Sequence, residues 1–293
     1  MESICVRVHA KINLTLDVVG KRADGYHDVE MVMQSVNLWD EIVIRVTDGK
    51  IELDSNVKGL PKDERNIAWR ATELLKAEFG IPQGAGIFIR KNIPIAAGMG
   101  GGSADCAGVL LGLNRLWNLN LGDGALKTLG KRLGADVPFC ITGGTALAEG
   151  IGDILTPIAS GTSIWLVIVR PDLRVSTGEV YGRLDLDYVE KRPNNKAMIE
   201  HLIAGRVSGV AENLVNVLEG VTIPMHPQIA EIKSRLVDEG ALGSLMSGSG
   251  PTVYGVFKDQ SSARRAAKKM EKEYRHTYVA ETVQNGVLIS RRP

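Results

Sequence analysis

Between Pro94 and Gly108 the chain reads PIAAGMGGGSADCAG, joining a short strand-like run, GIFIRKNI, to a mostly apolar run, SADCAGVLLGLNRLW. Glycine has no Cβ, so Gly98, Gly100, Gly101 and Gly102 let the backbone take positive φ and turn several N–H groups toward one point. A helix beginning at Ser103 would aim its unpaired N–H groups and the positive end of its dipole at that same point. Because that helix is apolar around most of its girth it has to be buried, so the loop must open from inside a domain. The stretch lacks the Gly-Lys-Ser/Thr ending of the Walker P-loop. Counted from Gly100 it also lacks the third glycine of the dinucleotide fingerprint, Ser103 and Asp105 standing there instead. By itself it fits either a phosphate cradle or a bare strand-to-helix turn.

The rest of the chain supplies the surroundings. At 293 residues it exceeds the usual size of one domain, which predicts two domains sharing a cleft. From Ile4 to Val19 apolar residues alternate, with Lys11 and Asn13 in mid-strand. GKRADGYH is a polar turn, and DVEMVMQSV alternates again. Asp48-Gly49, between EIVIRV and KIEL, predicts a hairpin. Asn66 is placed to cap a helix over IAWRATELLKAEF that ends before Gly80. A further helix from Gly124 to Leu133 precedes Asp136 in ADVPFC.

Beyond Ile154 the texture changes. A buried strand, IWLVIV, is followed by a capping-box pattern at Ser176 and Glu179, then by helical runs in NNKAMIEHLIAG, VAENLVNVLEG and HPQIAEIKSRLVDEG. The strand TVYGVF, the charged helix SSARRAAKKMEKEYR and the strand HTYVAETV complete a set that predicts helices over a small antiparallel sheet. The expected division is therefore 1–153 and 154–293.

A net charge of +1 gives no general attraction to nucleic acid or to a membrane surface. No apolar run approaches the roughly 20 residues that span a bilayer. The N-terminus lacks the basic, apolar and small-residue parts of a signal peptide. Cys5, Cys106 and Cys140 form neither a Cys-x-x-Cys pair nor an even set, so a reducing compartment is expected, the cytoplasm.

Four segments taken in order, AKINLTLDV, GMGGGSA, GADVPF and SGSGP, resemble the GHMP kinases over almost the whole chain. The resemblance implies an α+β, two-domain fold: an N-terminal domain like ribosomal protein S5, a C-terminal ferredoxin-like α/β sandwich, and a cleft between them. It implies ATP as phosphoryl donor and Mg²⁺ as its counter-ion. Carried over residue by residue, it makes Lys11 and Asp136 the catalytic pair. The ATP site would be Pro94, Ile95, Ala96, Ala97, Gly98, Met99, Gly100, Gly101, Gly102, Ser103 and Ala104, with Asn66 and Lys91 as further nucleotide contacts.

AKINLTLDVVGKRADGYHDVEMVMQSV and GADVPFCITGGTALAEGIG resemble more closely the branch of the superfamily in the non-mevalonate isoprenoid route. Its acceptor is a small molecule carrying a cytidine diphosphate group, and Asn13, Tyr26 and His27 would hold the cytidine end. No nucleic-acid or membrane partner is implied, nor a protein metal cage, and the chain would act as a monomer or homodimer. Ala104 departs from the common spelling, which has a second serine there, and Cys106 stands where alanine is frequent.

Chemistry asks for the same residues. Moving a γ-phosphoryl group to an alcohol needs positioning, charge neutralisation and an acceptor for the hydroxyl proton. Asp136 can take the proton, with Lys11 holding it and offsetting the charge on the transferred group. Each residue also has a plainer reading. Lys11 suits a solvated strand face, Asp136 a turn or cap after Gly134, Tyr26 a turn aromatic and His27 the surface. Two other functions stay open, a GHMP kinase for another alcohol such as homoserine or mevalonate, and an RNA-binding module.

Overall fold

A computed structural model describes residues 3–290. The chain opens with two very long antiparallel strands, β1 (Ser3–Lys21) and β2 (His27–Thr47). Their alternation buries Ile4, Val6, Val8, Ala10, Ile12 and Leu14 on one face. Register shifts fall between His9 and Ala10 and between Asn13 and Thr15. They bracket Lys11 and Asn13, and bulges of this kind re-aim side chains beside a site.

β3 (Ile51–Ser55) follows the Asp48-Gly49 turn but does not pair with β2. The predicted hairpin is absent because β4 (Gly84–Arg90) lies between them, antiparallel to β2 and parallel to β3. A parallel pair needs a crossover, and α1 (Ile67–Phe79) is that crossover. Its limits match the sequence: the Asn66 side chain accepts from Ala68 N–H at 3.0 Å, and Gly80 ends it at φ 61°.

After the glycine loop, α2 (Gly101–Leu116) begins two residues earlier than Ser103, with Gly100 as its N-cap at φ 67°. Small residues set the depth at which it lies. A Cβ on Gly108 would stand 2.4 Å from Val8 Cγ1, and one on Gly112 2.6 Å from Ile44 Cδ1. The helix backbone therefore rests on β1 and β2, burying Val109, Leu110 and Leu113, each worth about 1.5–3 kcal/mol of transfer energy. α3 (Asp123–Lys131), α4 (Val137–Thr142), β5 (Thr145–Glu149) and β6 (Ile154–Ile158) complete this half.

The second half contains β7 (Trp165–Arg170), α5 (Thr177–Arg183), α6 (Asn195–Ile203), α7 (Val207–Glu212), β8 (Val215–Asn216), α8 (Glu219–Met225) and α9 (Gln228–Asp238). It ends with β9 (Gly243–Met246), β10 (Val253–Phe257), α10 (Gln260–Met270), β11 (His276–Glu281) and β12 (Val287–Ser290). Its four-stranded antiparallel sheet runs β11-β7-β10-β9, with α8 and α9 before β9 and α10 after β10. That order is the ferredoxin-like one, as expected for this half of an α+β chain.

Three expectations need correction. A cut after residue 153 severs β6 from β5, although the two are paired; the chain crosses to the second sheet only between Ile158 and Trp165. β8 and β12 also return to β1, so the larger sheet is built from both ends of the chain. VAENLVNVLEG is not one helix, because Val215–Asn216 pairs with Thr15 and Leu16 and splits it into α7 and α8. Only half the capping box forms: Ser176 accepts from Glu179 N–H, while the Glu179 carboxylate pairs with Arg183. Among the described residues no helix is long and apolar enough to cross a membrane.

Candidate active site

Where the two sheets meet, a cavity of about 450 Å³ draws its lining from stretches far apart in the chain. β1 supplies Lys11 and Asn13, the β1–β2 turn Tyr26 and His27, and the glycine loop Gly98, Gly100 and Ser103. The turn before α4 supplies Asp136, and the second half of the chain adds Thr177, Tyr181, Gly248 and Ser249.

Lys11 is not a solvated strand residue. Its side chain is 7% exposed, and its ammonium donates to Asn13 Oδ1 at 3.0 Å and faces Asp136 Oδ2 at 3.5 Å. Its methylene stem lies under the loop, since a Cβ on Gly100 would be 2.9 Å from Lys11 Cγ. Asp136 occupies the N-cap position of α4 without making a side-chain cap bond. Its carboxylate is thus left to Lys11 and to the cavity. Asn13 is fixed on three sides, by Lys11, by Met31 Sδ and through its carbonyl, which accepts from the Tyr254 hydroxyl at 2.8 Å.

The loop divides into an anchored and an open set. Ala97 and Met99 are buried in the core, and the Met99 carbonyl accepts from Lys11 N–H at 3.0 Å. Pro94, Ile95 and Ala96 form its outer arm, with Ala96 at φ 51° and Ile95 exposed. The first helical bond of α2 runs from Ala104 N–H to Gly100 O at 2.8 Å. Gly101, Gly102 and Ser103 precede it, so their N–H groups have no partner within the helix and point out of its end. Ala104 itself is buried with its N–H already used, so its predicted phosphate contact is not available.

Two other predicted nucleotide contacts are also committed elsewhere. The Asn66 amide caps α1 and donates to Pro61 O at 3.0 Å. Lys91 is buried and its ammonium pairs with Asp40 and Asp105 on the far side of the loop, away from the cavity.

The second glycine turn closes against the first. Gly98 has φ 73°, a Cβ there would lie 2.2 Å from Ser247 O, and the Ser247 hydroxyl donates to Gly98 O at 3.0 Å. Asn216 of β8 holds that turn by donating to Met246 O at 2.9 Å and Gly248 O at 2.8 Å. Alanine at Gly98 would add about 1–2 kcal/mol for left-handed backbone alone. The clash with backbone comes on top, so Gly98→Ala is expected to lower the melting temperature and weaken ATP binding together. Gly102→Ala, whose Cβ meets only Ile67 Cδ1 at 3.8 Å, is expected to melt at or above the wild-type temperature. Parallel thermal melts and ATP titrations of the two variants check this.

In the same cavity Tyr26 is 60% exposed, and the His27 ring lies 5.1 Å from that of Tyr181 at 45°. Burial, with the Asp136 carboxylate nearby, pushes the Tyr181 phenol up to about 12, so it stays neutral and able to donate. Tyr181, with Thr177 bonded to Ser249 at 2.8 Å, was missed from the sequence: both belong to α5, a short helix beyond the expected boundary whose one mark, the capping box at Ser176 and Glu179, points to a helix start and not to a site.

Residues 66–144 match the model for the GHMP kinases N terminal domain, and residues 198–276 the model for GHMP kinases C terminal. A protein of Clostridioides difficile (strain 630) named 4-diphosphocytidyl-2-C-methyl-D-erythritol kinase is 50% identical, covering 99% of this chain and 98% of its own. One of the same name from Alkaliphilus oremlandii (strain OhILAs) is 46% identical over 99% of this chain and 100% of its own. A crystal structure of 4-(cytidine 5'-diphospho)-2C-methyl-D-erythritol kinase superposes with a TM-score of 0.82 at 33% identity, covering 94% of this chain and 98% of that one.

Proposed function

The chain belongs to the GHMP kinases, and on that premise we propose that it transfers the γ-phosphoryl group of ATP to the 2-hydroxyl of 4-diphosphocytidyl-2-C-methyl-D-erythritol, an isoprenoid-precursor step. The observation that carries this reading is that one cavity gathers both sets of groups such a reaction needs. The Lys11–Asp136 pair and the open glycine loop line it together with the aromatic group of Tyr26, His27 and Tyr181.

The residues divide the work. N–H groups of Gly101, Gly102 and Ser103, at the positive end of α2, meet the triphosphate. The acceptor oxygen attacks Pγ, the bond from Pγ to the bridging oxygen breaks, and ADP leaves with that electron pair. Asp136 takes the proton from the acceptor hydroxyl. Lys11 keeps the carboxylate in place and offsets negative charge on the phosphoryl oxygens during transfer. Tyr26 and Tyr181 offer faces for a pyrimidine ring and His27 a polar edge to read it, while Asn13, buried with its amide bonded to Lys11 and Met31, braces the lysine.

Mg²⁺ suits the oxygen donors that line the cavity, the Ser103 hydroxyl beside Gly134 among them, and it would supply neutralisation of the triphosphate. Three free, buried cysteines agree with a cytoplasmic setting, and the cavity is complete in one chain, which suits a monomer or a homodimer.

The test is ADP release and product mass with ATP, Mg²⁺ and each of three acceptors: the cytidine substrate, homoserine and mevalonate. Turnover is expected with the first alone. Equal turnover with either of the others would move the acceptor assignment and leave the kinase chemistry standing.

A further inference from the structure

Beneath the glycine loop lies an ionic cluster that the cavity does not reach. The Lys91 ammonium, 4% exposed, pairs with Asp40 of β2, with Asp105 of α2 at 2.7 Å, and donates to Gly101 O at 3.4 Å. Asp40 uses its other oxygen to accept from the backbone N–H groups of Asn92 at 2.5 Å and Ile93 at 2.8 Å. The Lys91 backbone is held too, its N–H donating to Asn56 Oδ1 at 2.8 Å.

Two carboxylates thus share one ammonium in a dry place. Asp105 Oδ1 has no hydrogen-bond partner. Burial, opposed by Lys91 and reinforced by Asp40, pushes the Asp105 carboxyl up to about 8. Such a cluster is weak evidence of stability, because well-packed apolar side chains often replace buried ion triads without loss. What the cluster does is geometric: Asn92 and Ile93 lead into the loop, Gly101 and Asp105 lead out of it, and all four are tied to one ammonium and one carboxylate.

We infer that Asp40, Lys91 and Asp105 are positioning residues of the phosphate loop, which hold its two ends at a fixed separation so that the N–H groups of Gly101, Gly102 and Ser103 converge. The inference rests on the reading that this loop holds ATP. Lys91 then acts on the nucleotide through the loop and not by touching it.

Calorimetric titrations with ATP and Mg²⁺, and separately with cytidine diphosphate as a probe of the aromatic lining of the cavity, test this. Asp105→Leu removes one partner and leaves Lys91 and Asp40 a matched pair. It is expected to weaken ATP binding about tenfold while cytidine diphosphate binding stays within about twofold. Asp105→Asn restores an acceptor for the ammonium and is expected to recover most of the affinity. Lys91→Arg keeps the charge but puts a longer, planar group between the carboxylates, so it is expected to weaken ATP binding by about threefold or more. Lys91→Arg, titrated with both ligands, decides the matter should Asp105→Leu not fold. An ammonium that met the phosphates directly would reverse the pattern, with Asp105→Leu binding ATP as well as or better than wild type. That result overturns the inference, as does equal loss of both ligands. Failure of the wild-type protein to bind ATP would instead remove the reading of the loop, and the inference with it.

Discussion

Asp136→Asn is expected to lower kcat by about 10²–10⁴-fold, the usual worth of a positioned general base, with ATP and the cytidine substrate bound nearly as before. The expectation follows from what the carboxylate does not do. It stands at the N-cap of α4 but makes no cap bond, so its oxygens are not consumed by the fold. It is 30% exposed to the cavity and meets Lys11 at 3.5 Å. Asparagine has the same outline and still offers an oxygen toward the ammonium, but it cannot take a proton at neutral pH. Steady-state kinetics with both substrates, alongside a thermal melt, separate the effects. A folded variant that turns over within about threefold of wild type would mean that the acceptor proton leaves by another route, and Asp136 would then be a spacer for Lys11.

How far this site was legible in the sequence depends on what each residue is asked to do. Glycine loops carry their signal locally, because positive φ and close backbone approach exclude most other side chains, and Gly98 and Gly100 both sit at φ near 70°. The resemblance then joined that loop to AKIN and GADVP, and the cavity brings Lys11, Asn13, Tyr26, His27 and Asp136 together with it. Sequence position could not separate a residue that faces the cavity from one that braces it. Lys91 looked like a nucleotide contact, yet Asp40, 51 positions away, and Asp105 claim its ammonium. Asn66 is read correctly as a cap, and its amide also donates to Pro61 O.

Strand pairing failed for a related reason. The Asp48-Gly49 turn is a local cue, but partner choice is settled by which apolar faces meet over the core. Ala85, Ile87 and Ile89 of β4 take the place beside Ile42 and Ile44. A sheet assembled from both ends of the chain has no local sequence mark at all, and β8 and β12 were missed for that reason.

Lys11→Met is expected to lower kcat by about 10²–10³-fold while ATP affinity changes little, since loss of one preorganised charge-stabilising group costs about that much. Methionine is the informative replacement because Lys11 has two separable parts. Its stem packs under Gly100, and a thioether of similar length keeps that support; alanine would leave a hole beneath the loop and confound loop position with charge. What methionine removes is the ammonium that joins Asn13 Oδ1 at 3.0 Å to Asp136 Oδ2 at 3.5 Å. A loss confined to KM for ATP would reassign Lys11 to nucleotide binding. The Lys11→Met/Asp136→Asn double variant then tells whether the pair acts as one device. If Lys11 works by holding Asp136 as well as by offsetting charge, the second substitution should cost much less on top of the first than it does alone. Additive losses would mean that the lysine acts on the phosphoryl group independently of the base beside it.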